Sequence, residues 1–148
     1  MRVLAVASRG GHWVQLRRLR PALEEFDVTY VTTDPAYREE VDDEHAFVAV
    51  PDANRQTKVR LLLMMLQIAK LVVTKRPQVI VSTGAAPGYF AIRLGKLIGA
   101  KTVWLDSIAN AERMSMSGQR IQKHADLWLT QWNHVASRVG AKCLGSVL

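Results

Sequence analysis

The stretch RVLAVASRGGHWVQL, Arg2–Leu16, sets the reading of this chain. Its first six residues, Arg2–Ala7, form a short apolar run that suits one buried strand. Ser8, Arg9 and two glycines follow. From Trp13 the apolar residues Trp13, Leu16, Leu19 and Leu23 recur at helical spacing, which predicts a helix over Trp13–Glu25. A strand, a glycine loop and a helix make the opening unit of a parallel α/β sheet.

The same alternation continues outward from that unit. Strands are expected at Val28–Thr32, Ala46–Val50, Gln78–Ser82, Thr102–Leu105 and Leu127–Thr130. Helices are expected at Arg55–Lys75, Gly88–Ile98, Met116–His124 and Trp132–Arg138, the first of these stopped by Pro77. Continuously apolar strands separated by helices indicate a parallel sheet covered on both faces. At 148 residues, with no repeat, low-complexity tract or linker, the sequence reads as one domain over 1–148.

Composition narrows the function. The net charge is +7, which favours an anionic partner such as phosphate groups, nucleic acid or an acidic membrane face. The single cysteine, Cys143, allows no internal disulfide and points to a reducing compartment. Stacking motifs, helix-turn-helix patterns and zinc spacings are absent, which argues against nucleic acid and against a metal. Ser82, Ser107 and Ser117 lack the context of a nucleophile elbow. The apolar run at the N-terminus is too brief for a signal peptide and leads straight into a helical pattern.

In parallel α/β sheets, ligands bind beyond the carboxyl ends of the strands. Three loops there are rich in small and polar residues. In the first, Gly10 and Gly11 let backbone approach a ligand, and His12 is placed to accept a proton or to cap the helix. It is not a dinucleotide fingerprint, because GxGxxG is missing, so Asp34 after the second strand reads as a turn or helix start. Gly95-Lys96 is followed by Leu97 and is no P-loop. The second loop, STGAAPGY, offers Thr83, Gly84 and Ala85 to a ligand, with Pro87 to start the helix. The third, WLDSIANAERMSMSGQ, places Asp106 at a strand end, followed by Asn110 and Glu112. Asp106 has four open roles: orienting His12, acting as a base, binding a sugar hydroxyl, and accepting backbone N–H bonds within its loop.

The long helix differs in kind. Leu61–Val73 is too short to span the ~30 Å of a bilayer core and contains Gln67 and Lys70. Its apolar residues nearly encircle it, more than one sheet face requires. It reads either as a buried helix with basic ends or as one lying partly in a membrane surface, and some of Leu62, Met65, Leu66 and Val73, with the basic Arg60 nearby, are expected to meet lipid or a protein partner.

The ordered set SRGGH, VIVSTGAAPGY, WLDSIANAERMSMSGQ and ADLWLTQW resembles the acceptor-side, membrane-recruiting subunit of bipartite UDP-sugar glycosyltransferases. Its relatives include the UDP-GlcNAc transferase of N-glycan assembly and proteins of exopolysaccharide and capsule biosynthesis. A more distant resemblance is to the N-terminal half of the GT-B enzyme that forms lipid II.

The resemblance implies a Rossmann-like parallel sheet with helices on both faces, equivalent to the N-terminal half of a GT-B glycosyltransferase. It implies an inverting hexosyltransferase subunit for UDP-N-acetylglucosamine or a related sugar, inactive without a separate donor-binding chain. The chain end, AKCLGSVL, falls about where a linker to a donor domain would begin. The acceptor would be a polyprenyl-diphosphate-linked saccharide at the cytoplasmic face of the membrane. The UDP-sugar would sit mainly on the partner, leaving this chain without a cofactor of its own.

In that frame Gly10, Gly11 and His12 match the glycine loop facing the cleft, and Thr83, Gly84 and Ala85 match the second cleft loop. His12 is the first candidate base and Asp106 the second. Amides of Gly10, Gly11 and Gly84 would hold phosphate or polarise the reacting oxygens. Asp106 stands where relatives often carry Glu. Two other functions fit the residues: a non-catalytic recruiter of a partner to the membrane, and a self-contained nucleotide- or NAD-binding enzyme.

Overall fold

A computed structural model describes residues 1–147; Leu148, the last residue of the expected domain, lies outside the described residues. Six strands form one parallel sheet: β1 (Arg2–Ala7), β2 (Asp27–Thr32), β3 (Ala46–Ala49), β4 (Val79–Gly84), β5 (Lys101–Leu105) and β6 (Leu127–Leu129). Their order across the sheet is β3-β2-β1-β4-β5-β6. The chain builds outward from β1 to β3, then crosses back to lay β4 on the other side of β1. That reversal opens a crevice at the carboxyl ends of β1 and β4, where this class of sheet binds ligands.

Among the described residues five α-helices cover the sheet: α1 (Gly11–Arg18), α2 (Lys58–Lys75), α3 (Ala85–Leu97), α4 (Met116–Ile121) and α5 (Asn133–Val139). Alternate residues of β1 feed two cores. Leu4 and Val6 pack with Met64 and Ile68 of α2 and Ile92 of α3, while Val3 and Ala5 pack with Trp13 and Leu16 of α1. Both faces of β1 are thus buried, which is why its sequence is continuously apolar.

Helix boundaries differ from the expected ones for identifiable reasons. α1 stops at Arg18 and is followed by a short 3₁₀ turn, Arg20–Ala22, rather than running to Glu25. Pro21 lacks an N–H, and its ring collides with the carbonyl four residues back in a continuous helix. α2 starts at Lys58 rather than Arg55, because the Asn54 side chain accepts the N–H groups of Gln56 and Thr57 and holds a turn there. α3 starts at Ala85, three residues before the expected Gly88. Gly84, at φ 135°, turns the chain directly from β4 into the helix, and Pro87 falls in the first turn, where its missing N–H costs nothing. The expected helix over Met116–His124 ends as α4 at Ile121 and finishes in a 3₁₀ turn, Gln122–His124. Asp34 caps a 3₁₀ helix, Pro35–Glu40, by accepting the Ala36 N–H, and so serves a turn.

The long helix α2 carries two apolar stripes. Met64, Ile68 and Val72 are buried against the sheet. Roughly opposite, Val59, Leu62, Leu63, Leu66 and Val73 are exposed, with Leu62 and Leu66 about half accessible at 51% and 53%. Met65 is half-buried between the stripes and Arg60 is exposed. Among the described residues, no helix is long and apolar enough to cross a membrane.

Candidate functional site

The crevice is built around His12, the second residue of α1. Its Nδ1 lies 2.9 Å from the carbonyl oxygen of Thr83, and the Thr83 hydroxyl donates back to the His12 carbonyl at 2.7 Å. The start of α1 and the end of β4 are therefore stitched together by one reciprocal pair. A carbonyl only accepts, so Nδ1 is the protonated nitrogen of the neutral ring. Nε2 is left as a lone-pair acceptor, with no protein partner among the described residues.

Gly84 completes this seat. A Cβ added there would come within 2.6 Å of both Nδ1 and Cε1 of His12, so the imidazole occupies the space that any side chain would need. Thr83 is fully buried and committed to His12, so it supports the imidazole rather than touching a ligand. Two of the three glycine amides expected to face an anion have partners inside the protein. The Gly10 N–H donates to the Tyr37 hydroxyl at 3.1 Å, and the Gly84 N–H to the Ser82 hydroxyl at 3.1 Å. Both donors are already used inside the protein. Gly11 is exposed and follows Gly10, whose φ of 76° makes the turn into α1.

Asp106 is also placed differently from a base. It is 1% exposed, and its two oxygens accept four hydrogen bonds. Oδ1 receives Trp104 Nε1 at 3.1 Å and the Ser115 hydroxyl at 2.5 Å. Oδ2 receives the Asn110 amide at 3.0 Å and the Ser115 N–H at 2.8 Å. The carboxylate pins both ends of the 106–115 loop, and Ser115 in turn caps α4 by accepting the Gly118 N–H. Asn110 is tied to Asp106 but still lines the crevice; Glu112 is exposed, and its carbonyl accepts from Arg138.

Two cavities meet beside His12. A polar one of about 410 Å³ is lined by His12, Ser107, Asn110, Ser115 and Ser117. A more apolar groove of about 390 Å³ runs between the start of α2, the first turns of α3, and α4. Arg55, Ala85 and Ser117 line both. Ala85 takes a left-handed conformation at that junction, φ 65°, unusual for a residue with a side chain. A further depression, about 510 Å³, lies at the other end of the sheet around Arg2, Arg76 and Gln78. Its lining holds no histidine, carboxylate or hydroxyl.

Several contributing residues escaped the sequence. The buried Gln15 of α1 donates to the Gly11 carbonyl and the Ser107 hydroxyl, and accepts from the Ile108 N–H and from Gln131. Gln131 also donates to the Asp106 carbonyl and accepts the Val147 N–H. This network ties the glycine loop, the Asp106 loop and the C-terminal segment into one polar core. A polar residue on the apolar face of a predicted helix was the one available signal for Gln15. Tyr37 had none: it stacks on Trp13 at 5.1 Å and takes the Gly10 N–H.

A family model described as oligosaccharide biosynthesis protein Alg14 like matches residues 48–147. The chain belongs to that family. The matched span takes in α2, Thr83 and Gly84 at the end of β4, Asp106 and Gln131; β1 and His12 precede it. No curated protein matches the sequence.

Solved structures extend the likeness to the whole sheet. MurG of Acinetobacter baumannii has a TM-score of 0.71 at 12% identity, over 88% of this chain and 41% of that one. MnaA of S. aureus with UDP has a TM-score of 0.75 at 12% identity, over 99% and 44%. UDP-N-acetylglucosamine 2-epimerase of Rickettsia bellii has 0.73 at 12%, over 99% and 45%. At such identity the likeness concerns the fold, which is the Rossmann-like N-terminal half of GT-B proteins. The chain spans less than half the length of each of these structures. Membership of the Alg14-like family and the GT-B half-fold agree with the resemblance stated from the motifs.

Proposed function

We propose that this chain is the acceptor-side subunit of an inverting UDP-sugar-dependent glycosyltransferase. It works with a separate donor-binding chain on a polyprenyl-diphosphate-linked saccharide, in synthesis of an oligosaccharide, exopolysaccharide or capsule. The transferred sugar is N-acetylglucosamine or a related hexose. The observation that carries the reading is the seat of His12: Nδ1 is held by the Thr83 carbonyl, and Nε2 is unpaired beside the polar cavity at the switch point.

In this reaction an acceptor hydroxyl bound in the polar cavity gives its proton to Nε2 of His12. Its oxygen bonds to the anomeric carbon as the bond to the UDP oxygen breaks, and UDP leaves with the electron pair. General-base help of this kind is typically worth ~10²–10⁴-fold. Asp106 does not exchange protons in this scheme. It holds the loop that carries Asn110 and Ser115 to the cavity wall, and Glu112 is left to contact the saccharide from outside. The UDP-sugar is gripped by the partner, and this chain supplies no cofactor or metal site. The exposed stripe of α2, with Arg60 beside it, lies on the cytoplasmic face of the membrane and brings the heterodimer to its substrate.

The test is co-expression with a donor-binding partner and transfer to a lipid-linked acceptor. His12→Ala should lower kcat by ~10²–10⁴. Near-normal turnover removes His12 as base, and full activity without a partner removes the split-enzyme reading. Calorimetry with UDP, UDP-sugars and NAD on the chain alone separates it from a self-contained nucleotide-binding enzyme. A pure recruiter would lose nothing on mutation of His12.

A further inference from the structure

The groove beside the polar cavity has an unusual combination of walls. Ala53, Leu61, Ala86, Tyr89 and Phe90 make it apolar. Two arginines, Arg55 and Arg120, stand on the same lining, and no carboxylate does. Neither arginine is in an ion pair among the described residues. Arg120 makes no side-chain hydrogen bond there, and Arg55 reaches only the Met116 sulfur. Arg9 pairs with Asp52, Arg20 with Glu24 and Asp42, and Arg38 with Asp43; Arg60, Arg76 and Arg113 are, like Arg55 and Arg120, exposed and outside any ion pair among the described residues, but none of those three lines this groove. Two unpaired guanidiniums against an apolar trough are complementary to an amphiphilic anion, with a multivalent anionic head and a hydrocarbon tail.

Position decides which anion. Arg55, Ala85 and Ser117 line this groove and the His12 cavity alike, so a molecule can lie across both. At the other end Leu61 leads along α2 to the exposed Leu62 and Leu66. An occupant therefore runs from a polar head near His12, past two arginines, to a greasy tail that emerges on the apolar stripe of α2. The volume, about 390 Å³, lies in the usual range for a small-molecule site.

We infer that this groove is the subsite for the diphosphate and the first isoprene units of the acceptor lipid. Arg55 and Arg120 hold the diphosphate, and Tyr89 and Phe90 pack on the prenyl chain. The assignment deepens the transferase reading and rests on it for the identity of the lipid. It makes the substrate's lipid end a recognised element rather than a passive anchor: the arginines set the distance from the diphosphate to His12, and hence which saccharide hydroxyl is presented.

The probe is farnesyl diphosphate below its aggregation concentration, titrated calorimetrically into the full chain. Farnesol, inorganic pyrophosphate and phosphatidylglycerol vesicles serve as separate arms. Farnesyl diphosphate should bind more than about tenfold tighter than farnesol or pyrophosphate, since only it fills both parts of the site. Arg55→Gln and Arg120→Gln should each weaken it about tenfold, the loss of one charge-assisted contact. Ala86→Trp should block it while leaving vesicle binding intact; the arginine variants, both at exposed positions, guard against a folding artefact. Unchanged affinity in both arginine variants overturns the subsite, as does pyrophosphate binding as tightly as the prenylated probe. With the partner present, sugar transfer whose acceptor KM ignores both arginines overturns the subsite and leaves the transferase reading standing. Arginine-dependent prenyl binding without transfer by any donor chain supports the subsite and removes the transferase reading.

Discussion

The imidazole of His12 lies where a side chain of residue 84 would have to be: a Cβ built on Gly84 meets Nδ1 and Cε1 at 2.6 Å. Two residues 72 positions apart thus compete for one volume, and the imidazole can sit there only because residue 84 has no side chain.

Gly84→Ala should therefore mimic His12→Ala in turnover. The new methyl group both displaces the ring and strains a backbone at φ 135°, a cost of about 1–3 kcal/mol. In the partner-dependent transfer assay kcat should fall by ~10² or more. A variant that keeps wild-type kcat would show that the seat does not position the base.

Asp106→Asn tests the buried carboxylate. Trp104, Asn110 and Ser115 all donate to it, and an amide nitrogen would face those donors with more donors. Urea unfolding should show a loss of about 2–3 kcal/mol. Undiminished stability with a kcat lowered a hundredfold would instead make Asp106 the base.

The glutamine network should behave as one unit. Gln15 and Gln131 are both buried and hydrogen-bonded to each other, so Gln15→Leu and Gln131→Leu should be strongly non-additive. A double-mutant cycle by denaturant titration should return a coupling of about 0.5–3 kcal/mol. Additive losses would mean that the two act separately.

Acid stability has a local source in Asp126. A hydrogen bond from Lys96, with further ones from the Thr102 N–H and hydroxyl, holds its carboxyl below the usual range. A group whose pKa is lower folded than unfolded contributes stability above its unfolded value, and that contribution is lost as pH falls through the folded one. Asp126→Asn should thus lower the urea midpoint at pH 7. It should narrow the difference between pH 7 and pH 2.5 relative to the parent chain. An unchanged difference would count against this ion pair as a source of acid lability.

The outer stripe of α2 makes a claim about surfaces. Replacing Leu62 and Leu66 by Asp should abolish flotation with anionic vesicles and leave the melting temperature within a few degrees, because neither side chain is in the core. Burying a leucine in an apolar medium is worth ~1.5–3 kcal/mol, so each change alone should cut binding about tenfold or more. Arg60→Glu should act at low salt and fade at high salt. Flotation by the double variant equal to the parent's would remove the stripe as the membrane face.

Sequence alone determined the alternation of strands and helices, the parallel class of the sheet and the loops after β1 and β5 at the crevice; the expected loop at Ser82–Tyr89 is instead the end of β4 passing directly into α3. Those features rest on where apolar residues fall, and burial is non-directional, so a pattern of residue types carries it. It also placed His12 at the crevice and marked α2 as apolar beyond the needs of one sheet face. Tertiary structure decided what each polar group does. The amides of Gly10 and Gly84 are taken by Tyr37 and Ser82, Asp106 is enclosed by four donors, and Gln15 meets Gln131 across 116 positions. Hydrogen bonds are directional and made over about 3 Å, so their partners depend on how distant segments come into register. Residue spacing along the chain does not encode that register; the packed sheet does.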